Sequence, residues 1–250
     1  MSAHPPATAG ITVIKLGGSV LTGRAAYQRA ATFITARLRE HPDERLVIVV
    51  SAEYGVTDAL LATAREIVDV PDPATLDLLW STGELRSAAL LALQLQALGV
   101  RAAAVNVHQT GLTEPDVSGG AGRMGVRGLR LAAALANYDV VVAPGFLARG
   151  DGDAVVSLGR GGSDLTAVLL AAGLGARQCE LVKDVPGYFS ADPHLSTDAA
   201  HLPHIDFERA LAMADAGCDL IQRQALDVAR ERRLPLVVRA IESETRTVVN

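Results

Sequence analysis

Lysine is nearly absent from this chain: of 23 basic residues only Lys15 and Lys183 are lysines, and the rest are arginines. Cysteine is as scarce. Cys179 and Cys218 lie far apart, with no C-x-x-C and no metal-ligand spacing, which excludes a disulfide framework and a zinc knuckle. Two reduced cysteines in a cytoplasmic protein are the expectation. Aromatic residues make up 4% of the chain, so the core must be built from Ala, Val and Leu. Excess positive charge is missing too. A net charge of −5 argues against a nucleic-acid groove or an anionic membrane surface as the main partner. No apolar run is long enough to span a bilayer. The start, M-S-A-H-P-P-A-T-A-G, lacks the basic and apolar regions of a signal peptide, and residues 1–10 are expected to form a flexible tail. No internal repeat or low-complexity linker is present.

What remains is 49% hydrophobic and 20% charged, ample for a core. Strand patterns are expected at Ile11–Leu16, Leu46–Val50, Ala102–Val107, Asp139–Ala143, Ala154–Leu158, Glu180–Val185, Leu234–Ala240 and Thr245–Val249. Helical patterns fall between them: Arg24–Glu40, Asp58–Val68, about Thr75–Leu98 with an interruption at Ser81–Gly83, Leu129–Tyr138, Asp164–Leu174, Asp206–Ala216 and Gln222–Arg232. The alternation predicts an α/β fold, one mostly parallel sheet between helix layers. Residues 11–250 are expected to form a single domain with two lobes.

Four turns follow strands and carry glycine or polar residues: Lys15–Ser19, Ser51–Thr57, Gly159–Asp164 and Lys183–Tyr188. In parallel sheets the carboxyl ends of strands share an edge, so these turns are expected to converge on one ligand. Ser157–Leu165, S-L-G-R-G-G-S-D-L, is the richest of them. Its glycines permit close backbone approach, and Ser163 is placed to cap the following helix, so free N–H groups and the positive end of the helix dipole face an anion. Arg160 and Asp164 set a positive and a negative charge beside the turn, which suits a zwitterion such as an amino acid. Lys15 with Gly17, Gly18 and Ser19 has the make-up of a phosphate cradle, although not the residue order of a Walker loop.

Other patterns carry less. Gly120–Gly125 matches G-x-G-x-x-G, but no strand precedes it and no acid follows at the required distance, so a mobile loop is expected there. His194, His201 and His204 are read as solvated loop histidines, and no metal site is expected. Asp151 and Asp153 belong to a G-D-G-D hairpin turn.

Taken together, I-K-L-G-G-S-V, V-V-S-A-E-Y-G-V-T, S-T-G-E-L-R-S-A, L-G-R-G-G-S-D-L-T-A and K-D-V-P-G-Y-F-S-A-D-P, in that order, resemble the amino-acid kinase family, and within it the catalytic domain of the aspartokinases. The resemblance implies a three-layer αβα sandwich. Its amino-acid lobe would span about residues 11–155, and its nucleotide lobe, for ATP and Mg²⁺, about 156–250. Dimers or higher homo-oligomers are implied as well. On the motif positions, Lys15 would contact the transferring phosphoryl group, cradled by Gly17, Gly18 and Ser19. Arg160 would hold the substrate α-carboxylate and Glu84 its ammonium. Asp164 would contact the ammonium or hold Lys15. Ser51 and Thr57 would line the substrate pocket, with Asp184, Tyr188 and Asp192 on the nucleotide side; Lys183, outside the family pattern, is expected to supply nucleotide-side charge from the neighbouring strand end. The implied reaction is phosphorylation of the L-aspartate side chain by ATP. A different acceptor acid, or a subunit that binds without turnover, is the alternative. The chain departs from the family where Lys183 replaces a threonine or serine, His194 an arginine, and Asp219 a lysine. It ends at Asn250, so the C-terminal regulatory domains of many aspartokinases are not expected within it.

Overall fold

Strand β1 (Ile11–Leu16) lies inside the sheet, and its last five residues are buried. β2 (Arg45–Val50) and β4 (Val140–Pro144) are buried in the same way. Strands covered on both faces read as continuous Val/Ile/Leu runs rather than alternations, as these do. The computed structural model describes residues 10–114, 129–159, 161–191 and 198–250.

With β3 (Ala102–Ala104), β7 (Cys179–Val182), β10 (His204–Ile205), β11 (Leu236–Arg239) and β12 (Arg246–Val249), these strands form an eight-stranded sheet ordered β10-β12-β11-β7-β1-β2-β4-β3. Every neighbouring pair is parallel except β11 with β12. From β1, the strands up to Pro144 extend to one side and those from Cys179 onward to the other. The β1/β7 boundary is therefore a topological switch point, where α/β sheets open a crevice at the strand carboxyl ends.

Helices cover both faces. α1 (Arg24–Glu40) and α3 (Pro73–Ala97) bury Ile14, Leu16, Ile48 and Val142 on one side. On the other side α5 (Leu129–Leu135), α6 (Gly162–Leu174), α7 (Phe207–Asp215) and α8 (Arg223–Arg232) enclose Val13, Val49, Leu181 and Val238. The expected αβα sandwich is what forms. α6 is buried from Gly162 to Ala171 and is apolar nearly all round, the pattern of a helix inside the protein. Among the described residues no helix is long and apolar enough to cross a membrane.

Several local expectations need correction. α3 runs unbroken through Ser81–Gly83. Gly83 is there for close approach: a Cβ would stand 3.1 Å from both Ala52 Cβ and Val56 Cγ1, the latter in α2 (Val56–Ile67). The strand expected to reach Val107 stops at Ala104, because Asn106 and Gln109 form a reciprocal capping box that starts α4 (Val107–Thr110). Ser163 does not cap α6. Gly161, in the left-handed region at φ 72°, holds that position, and Ser163 is buried as the second residue of the helix. β6 (Val155–Ser157) pairs antiparallel with β5 (Leu147–Arg149) in a separate hairpin, closed by the Asp151–Asp153 turn. His201 lies in β9 (His201–Leu202), paired with β8 (Tyr188–Phe189), half-buried with its ring edge-on to Phe189.

Candidate active site

The alternation of β1 places Lys15 on the same face as Val13, toward α6. Its Nζ lies 2.9 Å from Oδ1 of Asp164, in the first turn of that helix. Leu16 is in register with Val182, so Lys183 emerges at the adjacent strand end. Its Nζ stands 2.8 Å from Oδ2 and 3.1 Å from Oδ1 of the same carboxylate. The backbone N–H of Gln222, at the start of α8, donates to Oδ2 at 3.3 Å. One buried carboxylate thus ties together β1, β7, α6 and α8. Burial alone would raise the Asp164 carboxyl, but the charges of Lys15 and Lys183 outweigh it and hold it at about 2. Burial draws the Lys183 ammonium down, partly offset by the charge of Asp164.

The turn after β1 wraps this centre. The Gly17 N–H donates to Val182 O at 3.3 Å, and Gly18 O accepts from the N–H of Tyr54 at 3.2 Å. A Cβ at Gly18 would stand 2.4 Å from Ala52 O, so only glycine fits without moving the facing backbone. Ser19 is exposed in the short turn of 3₁₀ helix at Gly18–Leu21. Across the turn, Ser51 is half-buried and its N–H donates to Leu16 O at 3.2 Å. Thr57, also half-buried, sits in the first turn of α2, and its carbonyl accepts from the Trp80 indole at 3.2 Å.

Glu84 projects from α3 and is 3% exposed. Burial pushes its carboxyl up to about 8, against the opposing pull of the Ala52 N–H and the charge of Lys15. Among the described residues its Oε2 has no hydrogen-bond partner. A buried acceptor left open this way is suited to a ligand that brings a donor.

Beyond Lys183, a cavity of about 460 Å³ opens between Tyr188, Phe189, Met213, Cys218, Asp219 and Leu220. The Tyr188 ring is buried, its hydroxyl has no hydrogen-bond partner among the described residues, and burial pushes the phenol well above its ordinary range. Asp184, by contrast, is exposed at the strand end.

The structure therefore unites Lys15, Gly17, Asp164 and Lys183, places Glu84 behind the Ala52 loop, and sets Tyr188 on a neighbouring cavity. Asp184 and Ser19 are not drawn into the buried cluster. Arg160, Asp192 and His194 lie outside the described residues, as does the Gly120–Gly125 stretch. Sequence reasoning missed the Ala52 and Gln222 N–H groups and the cavity residues around Met213. Backbone donors leave no trace in residue type, and the cavity is assembled from segments without a motif. Among the described residues no three His, Cys, Asp or Glu side chains are grouped to hold a metal ion.

A buried cationic centre at the switch point of a parallel sheet, beside an apolar cavity, defines an α/β protein built to bind anionic small molecules. The chain belongs to the amino acid kinase family, whose model matches residues 10–240. It is 37% identical to the aspartokinase of Mycobacterium tuberculosis over 235 residues, 94% of this chain and 55% of that protein. It is 34% identical to the aspartokinase of Geobacillus stearothermophilus over 241 residues, 96% of this chain and 59% of that one. The chain thus spans a little over half the length of these relatives. Among solved structures it resembles aspartate kinase from Synechocystis, with TM-score 0.82 and 34% identity, covering 96% of this chain and 40% of that one. Aspartokinase III of E. coli in complex with aspartate and ADP gives TM-score 0.82 and 25% identity over 96% of this chain and 64% of that one.

Proposed function

We propose that this chain is an ATP-dependent kinase that phosphorylates the side-chain carboxylate of L-aspartate, giving L-aspartyl 4-phosphate and ADP. The observation that carries the reading is the Lys15–Asp164–Lys183 cluster at the switch point, with the open Glu84 carboxyl behind it. The similar E. coli enzyme in complex with aspartate and ADP supports both substrates.

The chemistry asks little of the protein in proton transfer. A free aspartate side chain ionises near pH ~3.9, so the nucleophile is already an anion at neutral pH. A carboxylate oxygen bonds to the γ-phosphorus, the bond to the β–γ bridging oxygen breaks, and ADP leaves with that electron pair. The difficulty is bringing an anion against a polyphosphate, so catalysis is positioning and charge neutralisation. Lys15 would meet the transferring phosphoryl group, with Gly17, Gly18 and Ser19 around it. Arg160 would bind the α-carboxylate, Glu84 the ammonium, and Ser51 and Thr57 the rest of the amino acid. Asp164 would act by holding Lys15. Lys183, Asp184, Tyr188 and Asp192 fall to the nucleotide side, the lobe of about residues 156–250, against an amino-acid lobe of about 11–155. The described residues do not fit a Mg²⁺ cage of protein side chains: both Asp164 oxygens are taken by ammonium groups. Mg²⁺ would therefore arrive coordinated by the nucleotide's own phosphates.

A homodimer or higher homo-oligomer in the cytoplasm completes the proposal. The outer face of α3 supports the assembly: Leu78, Leu90 and Leu93 are exposed there, with Arg86 the one exposed charge on the helix. Two free cysteines, Cys179 and Cys218, fit a reducing compartment.

Hydroxylamine trapping tests the function. Incubation with ATP and aspartate should yield the aspartyl hydroxamate together with ADP, and Lys15→Met should lower turnover by on the order of 10²–10³-fold. Hydroxamate formed with another acid instead would reassign the acceptor. Amino-acid binding without ADP release would make the chain a binding subunit.

A further inference from the structure

We propose that Lys183 is a second phosphate-binding cation, contacting the nucleotide's phosphate chain directly beside Lys15 and supplying positive charge that the described lining of the neighbouring cavity lacks. The inference rests on the reading of the chain as a nucleotide-dependent kinase.

Three observations carry it. The first is a charge count. Lys15 and Lys183 both pair with the one Asp164 carboxylate, which among the described residues leaves one positive charge uncompensated in a cluster whose side chains are 8%, 14% and 4% exposed. A buried excess charge is costly unless an opposite charge reaches it. The second is the cavity. Among the described residues its lining between Val185 and Leu220 contains no cation, and the one charged residue, Asp219, is negative. A nucleoside can occupy such a space, but its phosphates must find their cations outside it. The third is position. The Lys183 N–H is fixed to Arg239 O at 2.9 Å, which anchors the residue at the end of β7. Its ammonium belongs to the Asp164 cluster, and its backbone lies two residues before Val185, where the cavity lining begins. Phosphates leading from the cavity toward Lys15 would pass its ammonium. Lysine suits that place, as a compact point charge on a flexible stem.

A purely structural Lys183, needed only to neutralise Asp164, predicts different behaviour, and calorimetry separates the two. Adenosine, ADP and ATP, each in excess magnesium chloride, are titrated into wild type, Lys183→Met and Lys183→Arg. Direct contact predicts unchanged adenosine affinity in Lys183→Met and a loss of about ten- to a hundredfold for ADP and ATP. Nucleotide affinity should also depend less steeply on salt, and Lys183→Arg should recover part of the loss. Lys183→Gln, which keeps a donor toward Asp164 without charge, serves if the methionine variant does not fold, and the same loss is expected of it. Unchanged ADP and ATP affinity in either folded variant would overturn the proposal. So would an equal fall for adenosine. A wild-type protein that binds ADP yet gives no aspartyl hydroxamate removes the acceptor assignment and leaves Lys183 standing. A wild type that binds no adenine nucleotide overturns both readings.

Discussion

Glu84 is the residue whose chemistry depends most on where the fold places it. An ordinary glutamate is ionised at neutral pH, whereas this one is lifted to about 8 by burial. In the free protein it is therefore mostly protonated at pH 7, and in the proposed role a substrate ammonium would have to displace that proton. Aspartate affinity should then strengthen as pH rises, approaching about tenfold per unit in the one-proton limit, and level off above pH 8. Calorimetry in buffers of different ionisation enthalpy should detect the released proton. Glu84→Gln should weaken binding and abolish that release, and a slope that persists in this variant would assign the proton elsewhere. Asp164 behaves in the opposite sense. Its folded carboxyl is depressed to about 2 from an ordinary 3.8, so its stabilising contribution is full above about pH 4 and is lost as pH falls toward 2. Asp164→Asn leaves two ammonium groups facing each other in a buried site. Breaking a buried pair in this way costs about 3–5 kcal/mol, which urea unfolding at pH 7 would measure.

At the scale of elements, the site depends on how tightly α3 lies against the loop after β2. Gly83 makes that possible, with Ala52 and Val56 at van der Waals limits. The same loop gives Glu84 its backbone donor from Ala52 and braces Gly18 through Tyr54. Gly83→Val should overpack this contact and destabilise the protein by about 1–3 kcal/mol in urea titrations. The KM for the amino acid should rise more than that for ATP, because the loop lies away from the Tyr188 cavity. An equal rise in both would place the damage in the whole fold instead. The glycine pair in L-G-G-S shows how far residue type alone can be read. Its close approach was legible, but the partner it approaches, Ala52 O, was not.

At the scale of the whole molecule, the sheet divides at β1/β7, with strands up to Pro144 on one side and strands from Cys179 onward on the other. The Lys15–Asp164–Lys183 cluster lies on the seam, so neither part of the sheet could assemble it alone. α3 raises the question of assembly. A helix apolar around most of its circumference is normally covered on both faces. In the proposed homodimer the outer face of α3 meets its counterpart in a second copy. Light scattering on a sizing column should then report a dimer that Leu90→Glu combined with Leu93→Glu converts to monomer. A wild type that elutes as a monomer at micromolar concentration would refute this use of the face.

Sequence alone determined the alternation of strands and helices, and with it the parallel sheet, because buried strands and amphipathic helices announce themselves by period. It also picked out Lys15, Asp164 and Lys183, since charges set at the ends of apolar strands are conspicuous in a lysine-poor chain. Only the tertiary structure decided that both lysines share a single carboxylate, and that Asp164 lies buried in the first turn of α6 rather than beside an exposed loop. It also decided that Glu84 is deep enough to hold a proton. Those facts depend on strand order and on the distance between segments remote in the chain. Local pattern carries no information about either, because burial and charge pairing are set by which neighbours the fold supplies.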